Sequence, residues 1–262
     1  MPAVRFPSFR YLFGAIGLYV LFLVVTAPAW LAVWALPKFA PFPIAVEDSR
    51  GSLWRGEFSG VSATLPTGQK VEFDRVQWRL QPWRLLRAEL AAAVEFSGAQ
   101  LQGKGIFGKA VIGGVKLREL NVAAPASLLP IAMPALEIWK PGGTLEMSTA
   151  EFIYAGTDST GKASITWKQA ALALSSVKPL GEYSLAVDAN DSGLNYQLTT
   201  ISGALQLEGK GRWAANSAPT FLGSARAQPN YAVQLADLLR LLGTPDSSGT
   251  VPLRYQPAAA VQ

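Results

Sequence analysis

From about residue 44 onward, apolar and polar residues alternate in short runs. Val76, Trp78 and Leu80 interleave with Gln77 and Arg79, Val115 and Leu117 with Lys116 and Arg118, and Ile165 and Trp167 with Thr166 and Lys168. The same alternation runs through 183–188, 194–199 and 205–208. A period of two sends successive side chains to opposite faces, so each run predicts a half-buried strand. Gly, Pro, Asn and Asp separate the runs at hairpin spacing. The gaps are too short for repeated helical crossovers, so a mostly antiparallel sheet is expected. Two stretches predict helix instead. PASLLP around Leu128 and Leu129 has room for a turn or two. YAVQLADLLRLLG at 231–243 carries Val233, Leu235, Leu238, Leu239, Leu241 and Leu242 on a helical stripe, with Asn230 as N-cap and Gly243 as the residue past its end.

Residues 11–36 break the alternation, because no charged residue occurs among them. A bilayer core needs about 20 apolar residues, so this run predicts a transmembrane helix. Its thirteen Leu, Ile, Val and Phe residues favour insertion by up to about −4 to −8 kcal/mol. Pro28, Gly14 and Gly17 are tolerated in membrane helices, and Trp30 and Trp34 suit the interface. Arg5 and Arg10 precede the run with no acid, which predicts a cytoplasmic tail at 1–10 and residues 37–262 on the far side of the membrane. The competing reading is a cleaved signal peptide with Ala27-Pro28-Ala29 as its cleavage site. The apolar stretch 30–36 and the proline between the two alanines favour the uncleaved anchor. Three prolines at 37–43 predict a stiff spacer.

An internal echo divides the remainder. SGAQLQGKG at 97–105 resembles SGALQLEGKG at 202–211, and GSL at 51–53 resembles GTL at 143–145. Each half holds a Trp-bearing strand, with Trp78 and Trp167 as expected buried equivalents. These predict two duplicated lobes at 44–140 and 141–256, followed by a flexible tail at 257–262. The alternative is that sheets reuse Gly-polar-Leu turns.

The composition restricts the chemistry. Among the 262 residues there is no histidine and no cysteine. That excludes Ser-His-Asp triads, Cys/His pairs, HExxH and His/Cys zinc sites. The net charge of +5 is scattered and forms no basic stripe, so no nucleic-acid partner is expected. GKGIFGKA at 103–110 and GTDSTGKA at 156–163 approach a P-loop, but Ala110 and Ala163 stand where a magnesium-binding hydroxyl is needed. Strand-like sequence follows both, so their glycines are assigned to turns or bulges. Glu47/Asp48 and Asp188/Asp191 read as surface or turn carboxylates. Trp54, Trp78, Trp83, Trp139, Trp167 and Trp213 are most simply core, with an apolar groove or partner surface as the alternative. No catalytic, cofactor-binding or metal residue is assigned, and a non-enzymatic protein without cofactors is expected.

GSLWRGEFSG at 51–60, VQWRLQPWRLL at 76–86, KPLGEYSL at 178–185, SGALQLEGKG at 202–211 and LLRLLGTPDSSG at 238–249 carry a resemblance. In this order they resemble the type II secretion system protein N family. The resemblance implies an inner-membrane protein with a periplasmic domain. It also implies contacts with other secretion-system proteins during export of folded proteins across the outer membrane. The chain is also distantly similar to AsmA-like proteins, which implies that the sheet is curved and gives an alternative: a β-trough that handles lipid in an apolar groove. A trough would leave one continuous apolar sheet face uncovered, whereas a closed scaffold would bury it.

Overall fold

The alternating runs build one antiparallel sheet of thirteen strands, each paired with its neighbours in chain order. The computed structural model describes residues 18–19, 22–23, 26–31, 43–64, 70–99, 101–110, 114–155, 158–190, 193–214 and 217–255. The strands are β1 (Ile44–Gly51), β2 (Arg55–Thr64), β3 (Lys70–Leu80), β4 (Glu89–Ser97), β5 (Gln102–Ala110), β6 (Val115–Pro125) and β7 (Gly142–Tyr154). They continue with β8 (Thr160–Ala171), β9 (Gly181–Asn190), β10 (Gly193–Gly203), β11 (Leu205–Trp213), β12 (Thr220–Ala227) and β13 (Thr250–Tyr255). The runs singled out by alternation lie in β3, β6, β8, β9, β10 and β11. The expected boundary near residue 140 falls in the connection between β6 and β7. Those strands still pair from Val115↔Tyr154 to Pro125↔Thr144, so the sheet is continuous there.

The two ends of the sheet differ. At one end, called the near end, the connections between strands are short in residues and include a six-residue 3-10 segment, Pro82–Arg87. The longer connections gather at the far end. After β6 come a 3-10 turn (Ala126–Leu128) and helix α1 (Leu129–Ala132). Between β12 and β13 lies helix α2 (Ala236–Leu242). Leu128 and Ile131 share an apolar cavity of about 360 Å³ with Ile44, Phe58, Phe73 and Phe96. Ile44 lies on β1, five strands from β6, or about 24 Å across a flat sheet. Side chains that far apart line one cavity only if the sheet curls around its apolar face. Curling is also how very wide sheets accommodate their twist.

The core proper lies under α2. Leu235, Leu238 and Leu239 pack on Leu180, Leu205, Ala225 and Val251. The helix is shorter than its apolar stripe predicts. Asn230 is not its cap; it lies in the 3-10 turn Pro229–Tyr231, and no side chain caps α2. Residues 232–235 turn instead, with the Leu235 N–H donating to the Tyr231 carbonyl at 2.9 Å. This buries Leu235 and leaves Val233 91% exposed. The Gly243 N–H donates to Leu239 at 3.1 Å where the helix ends.

Most of the expected anchor lies outside the described residues. Residues 18–19 and 22–23 are helical, but the chain leaves helical geometry at 26–29. Pro28 forms a β-bridge with Ser52. The Ala29 N–H donates to Gly51 at 3.2 Å, and the Leu53 N–H donates to Ala27 at 2.7 Å. Proline removes a helical donor and biases the preceding residue toward extended backbone, which explains the break. The uninterrupted helix expected over 11–36 is therefore not formed past Thr26. Among the described residues no helix is long and apolar enough to cross a membrane.

Candidate functional site: the apolar face

Cross-strand partners share a face, so the register can be followed across the sheet. One row begins Phe58–Val76–Phe96–Gly103–Val122–Met147. It continues through Ile165–Leu185–Leu198–Gly209–Gly223–Leu253. No polar side chain interrupts it from β2 to β13. Phe58 is buried and the others are half-buried. The adjacent row on the opposite face is mostly polar: Glu57, Gln77, Glu95, Lys104, Asn121, Ser148, Ser164, Ala186, Gln197, Lys210, Leu222 and Arg254. A parallel apolar row runs Ala124–Leu145–Trp167–Tyr183, two residues along from the first. The face is thus continuous in sequence logic but only partly covered by α1, α2 and the loops.

The glycines of 103–108, expected in turns or bulges, lie within a strand on this face, with Gly105 at the register shift between β5 and β6. Gly103 and Gly105 are in β5, and Gly209 and Gly211 in β11. A side chain at Gly103 would meet the Phe96 ring at 2.7 Å, and one at Gly209 would meet the Phe221 ring. The Tyr196 ring likewise occupies the space over Gly211, and Trp78 that over Gly56. These glycines let a neighbouring ring lie flat on the strand. The lysine between each glycine pair, Lys104 or Lys210, faces the polar side. The two GKG echoes therefore occupy matching rows of the sheet.

Trp78 and Trp167 are half-buried rather than core. Each indole N–H donates to a backbone carbonyl 25 residues upstream: Trp78 to Leu53 at 2.9 Å and Trp167 to Gly142 at 2.8 Å. Each also meets a ring, Phe58 at 4.2 Å for Trp78 and Tyr183 at 6.1 Å for Trp167. Their places relative to the GKG strands differ. Trp78 on β3 is two strands before β5, whereas Trp167 on β8 is three before β11. The tryptophans therefore share a bonding pattern but are one strand out of step as repeats. Trp83 is exposed, and Trp54, Trp139 and Trp213 are half-buried. Tyr183 is buried and donates to the Leu205 carbonyl at 2.9 Å; burial raises its hydroxyl above the ordinary phenol range.

The main electrostatic cluster was not legible as a motif. Glu89, buried at the start of β4, accepts from Arg118 at 2.7 Å and pairs with Arg84 at 3.2 Å and Lys116 at 3.5 Å. The hydrogen bond from Arg118 outweighs desolvation and, with the three positive charges, holds the carboxyl at about 2. Arg118 also reaches Glu151 at 2.9 Å. Arg84 additionally donates to Gln81. The cluster thus ties 82–87 to β4 and β6 as a structural brace.

The other candidate motifs gain no chemistry from the fold. Residues 103–110 lie in β5, with no helix N-terminus to receive phosphate. Residues 160–163 open β8, and 156–157 lie outside the described residues. Asp48 pairs with Arg50 and Asp188 with Lys162, while Asp191 lies outside the described residues. Among the described residues no three carboxylates gather as a metal site would require.

A family model described as "Type II secretion system (T2SS), protein N" matches residues 43–254. Among curated proteins, "Type II secretion system protein N" of Aeromonas hydrophila is 29% identical over 243 residues. That alignment covers 91% of this chain and 93% of the relative. No solved structure matches.

Proposed function

The chain belongs to the type II secretion system protein N family, and from that premise we propose that it is a non-enzymatic, inner-membrane-linked component of the secretion machine. In this reading the apolar N-terminal run holds it to the membrane and the sheet lies in the periplasm. It acts by contacts with other secretion-system proteins while folded cargo crosses the outer membrane. The observation that carries the reading is the family match across nearly the whole sheet, including every described strand except the last residue of β13. The missing His and Cys and the purely structural role of the Glu89 cluster agree with it. Photo-crosslinking residues placed at Gln197 and Glu208, both exposed, give the test. Adducts with other subunits of the machine are expected in intact envelopes. Their consistent absence from both positions and from further polar-face sites would overturn the contact role.

A second reading is favoured by one observation. The apolar face stays half-buried across the sheet, and its cavity under Leu128 and Ile131 is lined only by apolar side chains. That is the arrangement expected of a trough for lipid. Native mass spectrometry of the chain after gentle extraction discriminates: retained phospholipid that is lost in Phe96→Arg supports the trough, and a lipid-free protein opposes it.

A further inference from the structure

We propose that the 3-10 segment Pro82–Arg87 is a second membrane contact, set in the interfacial layer of an anionic bilayer beside the N-terminal apolar run. The inference rests on the membrane linkage proposed above. It starts from the position of that run. Pro28 bridges Ser52 in the β1–β2 turn, so the described part of the run meets the sheet at its near end. The segment 82–87 projects from the same end, between β3 and β4. It turns its apolar side chains outward: Leu86 is 90% exposed and Trp83 59%, with Leu85 exposed as well. Exposed tryptophan and leucine on a short loop suit the headgroup boundary, where an amphipathic ring has both its environments.

The loop is held in this pose. Arg84 is braced by Glu89 at 3.2 Å, and Ala88 closes the segment in a left-handed conformation, φ 53°, with its N–H on Leu85 at 2.9 Å. Holding two leucines and a tryptophan in water by a buried charge cluster is unfavourable unless something covers them.

A second, independent observation specifies the charge of the covering surface. Arg55 and Arg79 are direct cross-strand partners on β2 and β3, next to the loop, and like charges placed opposite each other repel. Neither they nor the exposed Arg87 make an ion pair among the described residues. Anionic headgroups would relieve that repulsion at the level where the apolar side chains enter. The far end also exposes apolar side chains, Val233 among them, but it lies a full strand length from the run.

The chain contains no cysteine, so single cysteines report position cleanly. Leu86→Cys, Val233→Cys and Leu23→Cys, each carrying an environment-sensitive fluorophore, are reconstituted as full chain into phosphatidylglycerol-containing vesicles. The expected result is a blue-shifted probe at position 86, quenched several-fold by shallow spin-labelled lipid, and a water-like probe at 233. Quenching at 86 should weaken when phosphatidylcholine replaces the anionic lipid. A water-like probe at 86 with a lipid-embedded probe at 23 would overturn this inference and leave the membrane linkage intact. A water-like probe at 23 would instead overturn the linkage itself. Lipid contact at both 86 and 233 would show the sheet lying flat, which also overturns end-on contact.

Discussion

Glu89→Gln tests the brace that positions the near end. Glutamine keeps the shape and one acceptor oxygen but removes the charge that three cations share. Breaking a buried ion pair from one side costs about 3–5 kcal/mol. Here the full figure does not apply. Arg118 keeps Glu151 at 2.9 Å, and the side chains of Arg84 and Lys116 retain 23% and 28% of their exposure, so water screens what remains. About 2 kcal/mol at neutral pH is the expected loss. The pH dependence is the sharper part. The folded carboxyl sits at about 2 against an ordinary 4.5. A depressed carboxylate contributes its full stability above 4.5. That contribution is lost as pH falls from 4.5 toward 2, and is gone below 2. Glutamine does not titrate, so the gap between the two proteins closes across that window. Urea unfolding of the full chain in mild detergent, followed by tryptophan fluorescence at several pH values, reads the gap directly. Equal midpoints at pH 7, or a gap that stays constant down to pH 2, would refute the brace.

The remaining expectations are narrower. Trp78→Ala and Trp167→Ala should each cost about 2–3 kcal/mol in urea unfolding, less than the 3–5 of a fully buried aromatic, because the rings are half-exposed; the Phe variants should lose only about 1 kcal/mol for the missing N–H donor. Unchanged midpoints would make both rings surface features. Gly203→Ala should destabilise well beyond Gly249→Ala. Both have positive φ, but a Cβ at 203 collides with the backbone of Gly181, whereas one at 249 meets open space. The Gly249 variant should lose about 1–2 kcal/mol, and comparable losses at both sites would show that the close β9–β10 approach is not rigid. ATP with magnesium should leave the melting temperature unchanged, since Ala110 and Ala163 offer no hydroxyl to the metal; a clear upward shift would reveal a nucleotide site.

Alternation made the sheet legible because each strand buries one face only, so its sequence records which face. Tyr183, Leu185 and Val187 in β9 all belong to the apolar side, and their spacing says so. The glycines of β5 and β11 were opaque for the opposite reason. A glycine records no facing, and the ring that occupies its space, Phe96 or Phe221, lies on another strand. The Glu89 cluster was hidden likewise: Arg84, Glu89, Lys116 and Arg118 come from three stretches that only strand pairing brings together. Helix α2 shows a third limit. Its leucines read as one long stripe, but Leu235 reaches the core from a turn, and Val233 is left in solvent. Periodicity reports apolar positions at helical spacing and does not say which of them a short element will turn inward.

Among the described strands β1 and β13 form the edges of the sheet, and both bear on how contacts are made. β1 carries Glu47, Asp48 and Arg50, and β13 is six residues long with Pro252 inside it. Charges, shortness and proline are features that discourage a further strand from pairing, and Pro252 has no N–H to offer one. Strand addition to this sheet is therefore disfavoured at both ends of the strand order. The surfaces left for association are the polar face, the half-covered apolar face and the two strand ends. The apolar face is stoppered at the far end by α1, α2 and the loop 172–180, whose Leu172, Val177 and Leu180 join the core. At the near end the 82–87 segment is the one helical connection among the described residues, and that is the end which the described part of the apolar run meets. If an apolar ligand reaches this face, the near end is its less covered side, and the exposed Trp83 and Leu86 lie at that same end of the sheet.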